Sequence, residues 1–278
     1  MKIAMMTYTM ARGRKKGEAF DVEGLCRFTR ELGLEGVDWV TTYEHDPREV
    51  RRIMDDHGLR TVCYTFFCDL NFPTAAERRP GLDTFRRGIE AAVALGADKV
   101  MLPVSGKSGC TREESFRNVV QGLHEAVILA EEAGVTTTVE NFPHPLSPFI
   151  VSDDVNRAIR EVPQLRVTFD NGNVVTGGES AADGFRKSAP YVVHAHFKDF
   201  QSCPEGTPGA HICLDGKYRR AVLVGDGDVD QVACVQAMRE HGYQGYINFE
   251  YEGSDLSPRD ATIEGVRRMR EWIAQSSS

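Results

Sequence analysis

Along this chain the spacing of apolar and polar residues switches repeatedly between two periods. Eight short runs read as strands, because apolar, β-branched or aromatic residues alternate with polar ones: KIAMMTY, GVDWV, RTVCYTFFC, ADKVMLPV, VTTTVEN, LRVTFDNGN, VVHAHFKD and YINFEYEG. Between them lie segments with apolar residues at helical spacing. These are DVEGLCRFTRELG, DPREVRRIMDDHG, a helix within LDTFRRGIEAAVALG, TREESFRNVVQGLHEAVILAEEAG, SDDVNRAIREV, SAADGFRKSAP and DVDQVACVQAMREHG. Punctuation agrees with the periods. Asp21 is placed to cap the first helix and Gly33 to close it, Thr111 and Glu114 form a capping box, and Gly96 ends the third helix. The stretch after the first strand, with Arg12 to Lys16, reads as a basic loop. A last helix within SPRDATIEGVRRMREWIAQ completes the pattern, and the SSS tail at 276–278 is expected to be disordered.

Strict alternation of strand and helix requires parallel strands joined by crossover helices. Eight such units without a linker or a shift in composition predict an α/β fold, a single (β/α)8 TIM barrel over residues 1–275. A Gly-rich phosphate fingerprint after the first strand is missing, which weakens the dinucleotide-binding alternative. One connection is much longer than the rest: residues 201–227, between KDF and DVDQV. Connections of that length are usually functional or disordered. Within it, ICLDGKYRRAVLV reads as a hairpin turning at Asp215-Gly216, and its place after the seventh strand suggests a lid or pocket wall.

Four of the predicted strands end on a metal-ligating side chain: Glu140, Asp170, His196 and Glu250. Strand periodicity sets Thr138 with Glu140, Thr168 with Asp170, His194 with His196 and Lys198, and Asn248 with Glu250 and Glu252. Their apolar neighbours (Val139, Phe169, Ala195, Phe197, Phe249) then face the helices, and the polar set points into the barrel. A buried polar row costs several kcal/mol unless it is paired or metallated. Any one of these carboxylates could be a salt-bridged barrel residue; four donors at equivalent places indicate one cation site. Three carboxylates and an imidazole suit Mn²⁺, with Mg²⁺ and Co²⁺ close behind and Zn²⁺, which favours N and S donors, after them. His194, one layer deeper than His196, reads as a satisfied core histidine, while His144, just past Glu140, is expected to line the pocket.

The chain has 278 residues, 41% hydrophobic and 27% charged, as in ordinary globular proteins. No apolar run approaches the roughly 20 residues of a membrane span, and the first residues do not form a signal peptide. A formal charge of -8 argues against nucleic acid as a partner, and the basic clusters Arg12 to Lys16 and Arg78-Arg79 read as solvated surface. Seven cysteines without CxxC spacing, Cys63 and Cys68 among them in or beside an apolar strand, fit reduced thiols and a cytoplasmic location.

VEN, FDNGN, HFKD, GDGDVD and NFE, in this order, resemble the xylose-isomerase-like barrels of the sugar phosphate isomerases and epimerases. That group also includes hydroxypyruvate isomerase, D-tagatose 3-epimerase, inosose dehydratase and endonuclease IV. The resemblance covers nearly the whole chain, with its strong motifs in the second half. It implies that Glu140, Asp170, His196 and Glu250 bind one divalent metal, that the substrate is a small carbohydrate, and that self-association into dimers or tetramers is open. The expected activity is isomerisation or epimerisation by proton abstraction next to a carbonyl through an enediolate, with Glu140 and Glu250 as the acid–base pair and Lys198, Asn141, Asn173 and His144 contacting substrate. The alternative is a lyase that dehydrates a keto-inositol or keto sugar or cleaves a 3-keto-glycoside; a non-catalytic sugar-binding barrel comes last. Two departures matter. Many relatives carry a histidine where this chain has Asn173, which puts a ketose 3-epimerase assignment in doubt. The histidines of the first half, His45 and His57, are not at strand ends, which argues against a three-zinc nuclease.

Overall fold

A computed structural model describes residues 1–275; the tail at 276–278 lies outside the described residues. Eight parallel strands close into a barrel: β1 (Lys2–Met6), β2 (Gly36–Val40), β3 (Arg60–Thr65), β4 (Lys99–Leu102), β5 (Thr136–Glu140), β6 (Arg166–Asp170), β7 (Val192–Phe197) and the last strand, β11 (Tyr246–Phe249), which pairs with both β7 and β1. The expected TIM barrel is therefore present, with every strand run of the sequence in its predicted place.

Alternation in each strand separates two environments. Trp39, Phe169, Phe197 and Phe249 are buried between barrel and helices, where Phe169 meets Phe185 edge to face at 5.4 Å. The other face turns Asp38, Thr138, Thr168, His194, His196 and Asn248 inward, all buried. A hydroxyl pair, Thr138 Oγ1 to Thr168 Oγ1 at 2.7 Å, joins β5 to β6 across this interior.

The capping forecasts at Asp21, Thr111–Glu114, Gly33 and Gly96 agree with the helix ends. Two forecasts need correction. The first part of the presumed basic loop is a short helix, α1 (Thr7–Ala11), because its hydroxyls cap strand ends: Thr7 Oγ1 accepts from Val40 N at 2.8 Å and Thr9 Oγ1 from Tyr251 N at 2.9 Å. The third expected helix, α4 (Ala75–Leu95), following α2 (Val22–Glu31) and α3 (Pro47–Asp56), begins well before Leu82 because Thr74 and Glu77 form a capping box upstream of it, with Pro80 accommodated inside the helix. This extension buries Arg78, which donates to the Phe72 carbonyl at 3.0 Å; it is not the solvated residue expected.

After β7 the chain does not go directly into a helix. It forms a small antiparallel sheet from β8 (Asp199–Ser202), β9 (His211–Ile212) and β10 (Tyr218–Val222), ordered β8-β10-β9. The predicted hairpin turn is present, with Gly216 N donating to Cys213 O at 3.0 Å and Gly216 at φ 79°. The remaining helices, α5 (Arg112–Glu132), α6 (Ser152–Glu161), α7 (Ala181–Ser188), α8 (Gln231–Glu240) and α9 (Pro258–Gln275), complete the outer layer. Helix α9 presses on the last strand: a Cβ on Gly265 would lie 2.0 Å from Phe249 Cε2. Gly265→Ala is therefore expected to destabilise the protein by about 1–3 kcal/mol by overpacking, measured by denaturant unfolding. An unchanged midpoint would mean that this contact relaxes freely.

Candidate metal centre

Glu140 is the last residue of β5, Asp170 the last of β6, His196 the fifth of β7, and Glu250 follows β11 directly. Register explains why they meet: Asp170 lies beside His196, and Asn248, two residues before Glu250, lies on His196's other side. One donor atom from each of the four residues falls within 4.8 Å of all the others, and all four residues are buried. Thus the set forecast from strand ends is brought together. His196 Nδ1 is 2.8 Å from Glu140 Oε1 and 3.5 Å from Glu250 Oε2.

Beneath this layer lies a residue that the strand-end reasoning passed over. Asp38, in the middle of β2, is fully buried, and its Oδ2 is 2.7 Å from His194 Nε2, 3.1 Å from His196 Nε2, and also hydrogen-bonded to Asn248 Nδ2. A lone carboxylate in the apolar run GVDWV was the available signal. Burial would raise the Asp38 carboxyl, but the hydrogen bonds from His194 and His196 hold it well below the usual range. Burial lowers His194. His196 resists its own burial and is held well above its ordinary value by Asp38 and Glu140.

Lys198 completes the electrostatics. Its Nζ lies 3.0 Å from Glu250 Oε1, 3.2 Å from Asp170 Oδ2 and 3.5 Å from Glu252 Oε1, almost out of solvent. Against burial, these carboxylates hold the ammonium well above its ordinary value. Its stem is fixed from both sides. Gly172 leaves no room for a side chain, since a Cβ there would be 2.5 Å from Lys198 Cγ. Asn171 Oδ1 accepts from Lys198 N at 3.0 Å, and Gln231 Nε2 donates to its carbonyl at 3.1 Å.

The neighbouring motifs act as supports. Asp199 of HFKD accepts from the backbone of Gly225, Gly227 and Val229 at 2.8, 3.2 and 3.1 Å, which ties the end of β7 to the GDGDVD loop. Asn141 uses both ends of its amide on Asp170, donating to its carbonyl at 2.7 Å and accepting from its N–H at 2.9 Å. Asn141, expected to contact substrate, here spends its amide on the main chain of Asp170 and so braces β6 against the end of β5. His144 lies apart from the four-donor cluster. It is exposed in a turn where its Nδ1 accepts from Leu146 N at 3.2 Å, outside the buried cluster. Asn173 is different, because it is buried at the site and neither atom of its amide has a hydrogen-bond partner. It remains free to meet a ligand.

The donor set fits a cation on the protein's own account. Asp170 Oδ2 and Glu250 Oε2 are buried and accept no hydrogen bond, each having only an ion-pair contact, with Lys198 and His196 respectively. Burial pushes Asp170 up to about 7 despite Lys198, and pushes Glu250 well above its ordinary range. That is the signature of carboxylates with too little positive charge. The lower trio of Asp38, His194 and His196 is also close enough to hold an ion, but its converging atoms already satisfy one another. A divalent cation in the upper set must displace the proton that His196 holds there and those held by the raised carboxyls. Its affinity is therefore expected to rise with pH through about 7 and to fall in acid, about tenfold per pH unit for each proton displaced. Calorimetric titration with Mn²⁺ between pH 5 and 8 checks this; a flat profile contradicts it.

Comparison with known proteins gives consistent findings. The family model described as xylose isomerase-like TIM barrel matches residues 26–272. An inosose dehydratase of Clostridium perfringens is 26% identical over 164 residues, 57% of this chain, and the chain spans only 55% of that relative's length. Among solved structures, the 3-keto-D-glucoside 4-epimerase YcjR of E. coli aligns with TM-score 0.76 and 17% identity over 98% of this chain and 99% of that one. The IOLI protein, whose crystal structure binds a zinc atom, aligns with TM-score 0.79 and 15% identity over 99% of each chain. At such identities the two structures speak for the fold.

Proposed function

The chain belongs to the xylose isomerase-like TIM barrel family, and from that premise we propose that it is a divalent-metal-dependent isomerase or epimerase of a small keto sugar or sugar phosphate. One observation carries the reading: two buried carboxylates, Glu140 from β5 and Glu250 after β11, reach the same imidazole nitrogen from strands on either side of β6 and β7. Glu140, Asp170, His196 and Glu250 would hold the cation, with Mn²⁺ suiting the three hard oxygens. Bound there, it would supply Lewis-acid stabilisation of the negative charge that develops on a carbonyl oxygen. The protein supplies the proton chemistry. One glutamate takes the proton from the carbon beside the carbonyl, and the other returns a proton to the neighbouring carbon or to the opposite face. Such steps contribute about 10²–10⁴-fold each. Lys198 faces the same space as an ammonium and holds a substrate oxygen, while Asn173 offers both a donor and an acceptor.

A second reading is loss of water from a keto polyol. It is supported by Lys198, whose buried ammonium can hold a departing hydroxyl by hydrogen bond while Glu250 beside it gives that hydroxyl its proton. Both readings start with abstraction of the same class of proton. Incubation of the Mn²⁺-loaded protein with a panel of keto sugars and keto-inositols in D₂O is expected to place deuterium at the carbon beside the carbonyl. Recovery of a ketose or its epimer supports the first reading, and an unsaturated ketone absorbing in the ultraviolet supports the second. No exchange in any of them would sink both.

A further inference from the structure

We propose that Asp38 is a positioning residue that fixes which nitrogen of His196 carries a proton and so aims the other nitrogen at the cation. The inference rests on the reading of His196 as a cation ligand. A neutral imidazole has one donor nitrogen and one acceptor nitrogen, and only the acceptor can ligate a metal. His196 points its two nitrogens at different layers: Nε2 lies 3.1 Å from Asp38 Oδ2, and Nδ1 lies 2.8 Å from Glu140 Oε1 within the four-donor set. A carboxylate oxygen faces each nitrogen and calls for a hydrogen on it; a cation among Glu140, Asp170 and Glu250 displaces the one on Nδ1, while Asp38, which lies outside that set, keeps the one on Nε2 and so leaves the Nδ1 lone pair for the cation.

Asp38 is itself held. Its Oδ2 collects donors from two further residues, His194 Nε2 at 2.7 Å and Asn248 Nδ2, which come from β7 and β11. The position of β2 in the barrel accounts for its direction. Trp39, the next residue, faces outward and places its Nε1 on the Met54 sulfur of α3, so strand alternation turns Asp38 inward. Its carboxylate is wholly out of solvent, in a strand otherwise built of apolar residues and glycine. A buried acid in that setting has a high cost unless its partners need it. Three barrel strands, β2, β7 and β11, thereby converge on one oxygen directly below the cation set. Groups that orient a ligating histidine in this way typically change metal affinity 10–100-fold when removed.

Asp38→Asn tests the idea because it keeps the shape and lets an amide N–H face Nε2, reversing the demand on the imidazole. The Mn²⁺ dissociation constant of D38N, measured calorimetrically at pH 7.5, is expected to rise about 10–100-fold. A role confined to holding the barrel together would lower the unfolding midpoint and leave that constant unchanged; an unchanged constant overturns the proposal. Long-range ¹H–¹⁵N correlation spectra of the unmutated protein give a second test that does not need the variant to fold. With Mg²⁺ or Zn²⁺ bound, the His196 proton is expected on Nε2 with Nδ1 ligating; a proton on Nδ1 overturns it. If none of these cations binds the unmutated protein, the metal reading of the site fails by itself. The orientation is then judged on the metal-free spectra, where a hydrogen-bonded Nε2 proton that is lost in D38N upholds it and its absence in the unmutated protein refutes it.

Discussion

Glu250→Gln is expected to lower the rate of proton exchange about 10²–10⁴-fold at saturating Mn²⁺. Glutamine keeps the volume and one carbonyl oxygen but neither accepts a proton nor carries a charge. The same substitution removes one of the three carboxylates of the cation set, so Mn²⁺ should also bind more weakly. A third effect separates this residue from a structural one. In the metal-free protein, burial pushes the Glu250 carboxyl well above its usual range, and one of its oxygens has no hydrogen-bond partner. The glutamine amide oxygen can still accept from Lys198, which keeps Asp170 and Glu252 as partners, and the buried carboxyl at 250 is gone, so the metal-free protein should be about as stable as before. Kinetics, calorimetry and unfolding in EDTA read the three effects separately. Unchanged turnover would take Glu250 out of the chemistry, and severe unfolding would assign it to the framework.

Lys198→Met should lower stability instead. The ammonium is the cation nearest to Asp170 Oδ2 and Glu250 Oε1 and also touches Glu252. Methionine keeps much of the stem against Gly172 and deletes the charge. Breaking a buried ion pair by removing one partner costs about 3–5 kcal/mol, because the other charges stay behind. In EDTA, K198M is therefore expected to lose about that much stability by denaturant unfolding. Saturating Mn²⁺ should restore a large part of it, since a divalent ion among the same carboxylates replaces the missing charge. Exchange activity should remain low with Mn²⁺ present, because no ammonium is left for the substrate. Equal stability of K198M and the unmutated protein in EDTA would contradict the electrostatic account.

The barrel was legible because each of its strands has a clear period or apolar run, and because Gly33 and Gly96 mark helix ends that local chemistry alone determines. The meeting of Glu140, Asp170, His196 and Glu250 was legible for a related reason. In a parallel barrel the strand ends share one rim, so VEN, FDNGN, HFKD and NFE, each ending a strand run, belong to the same rim. What escaped was tertiary. Nothing local in GVDWV says that Asp38 faces His196 across a strand pairing formed only when β11 closes the ring. Likewise HFKD shows a lysine near the rim, yet its contact with Asp170 and Glu250 depends on the bare backbone of Gly172. Asn141 and His144 both follow Glu140 closely, yet the amide of one is committed to Asp170's main chain and the other lies exposed in a turn, which proximity in sequence does not tell apart. The three left-handed residues after β2, Thr41, Tyr43 and Glu44 at φ 57°, 49° and 73°, had no sequence signal, since none is glycine.

One divalent cation is expected to bind through the His196 imidazole and the carboxylates of Glu140, Asp170 and Glu250. Mn²⁺ added to metal-free protein and followed by electron paramagnetic resonance with pulsed detection of nitrogen coupling tests it most directly. One ion per chain is predicted, coupled to a single histidine nitrogen, with the coupling absent in His196→Gln. No bound ion, or a nitrogen coupling that survives in H196Q, would contradict it.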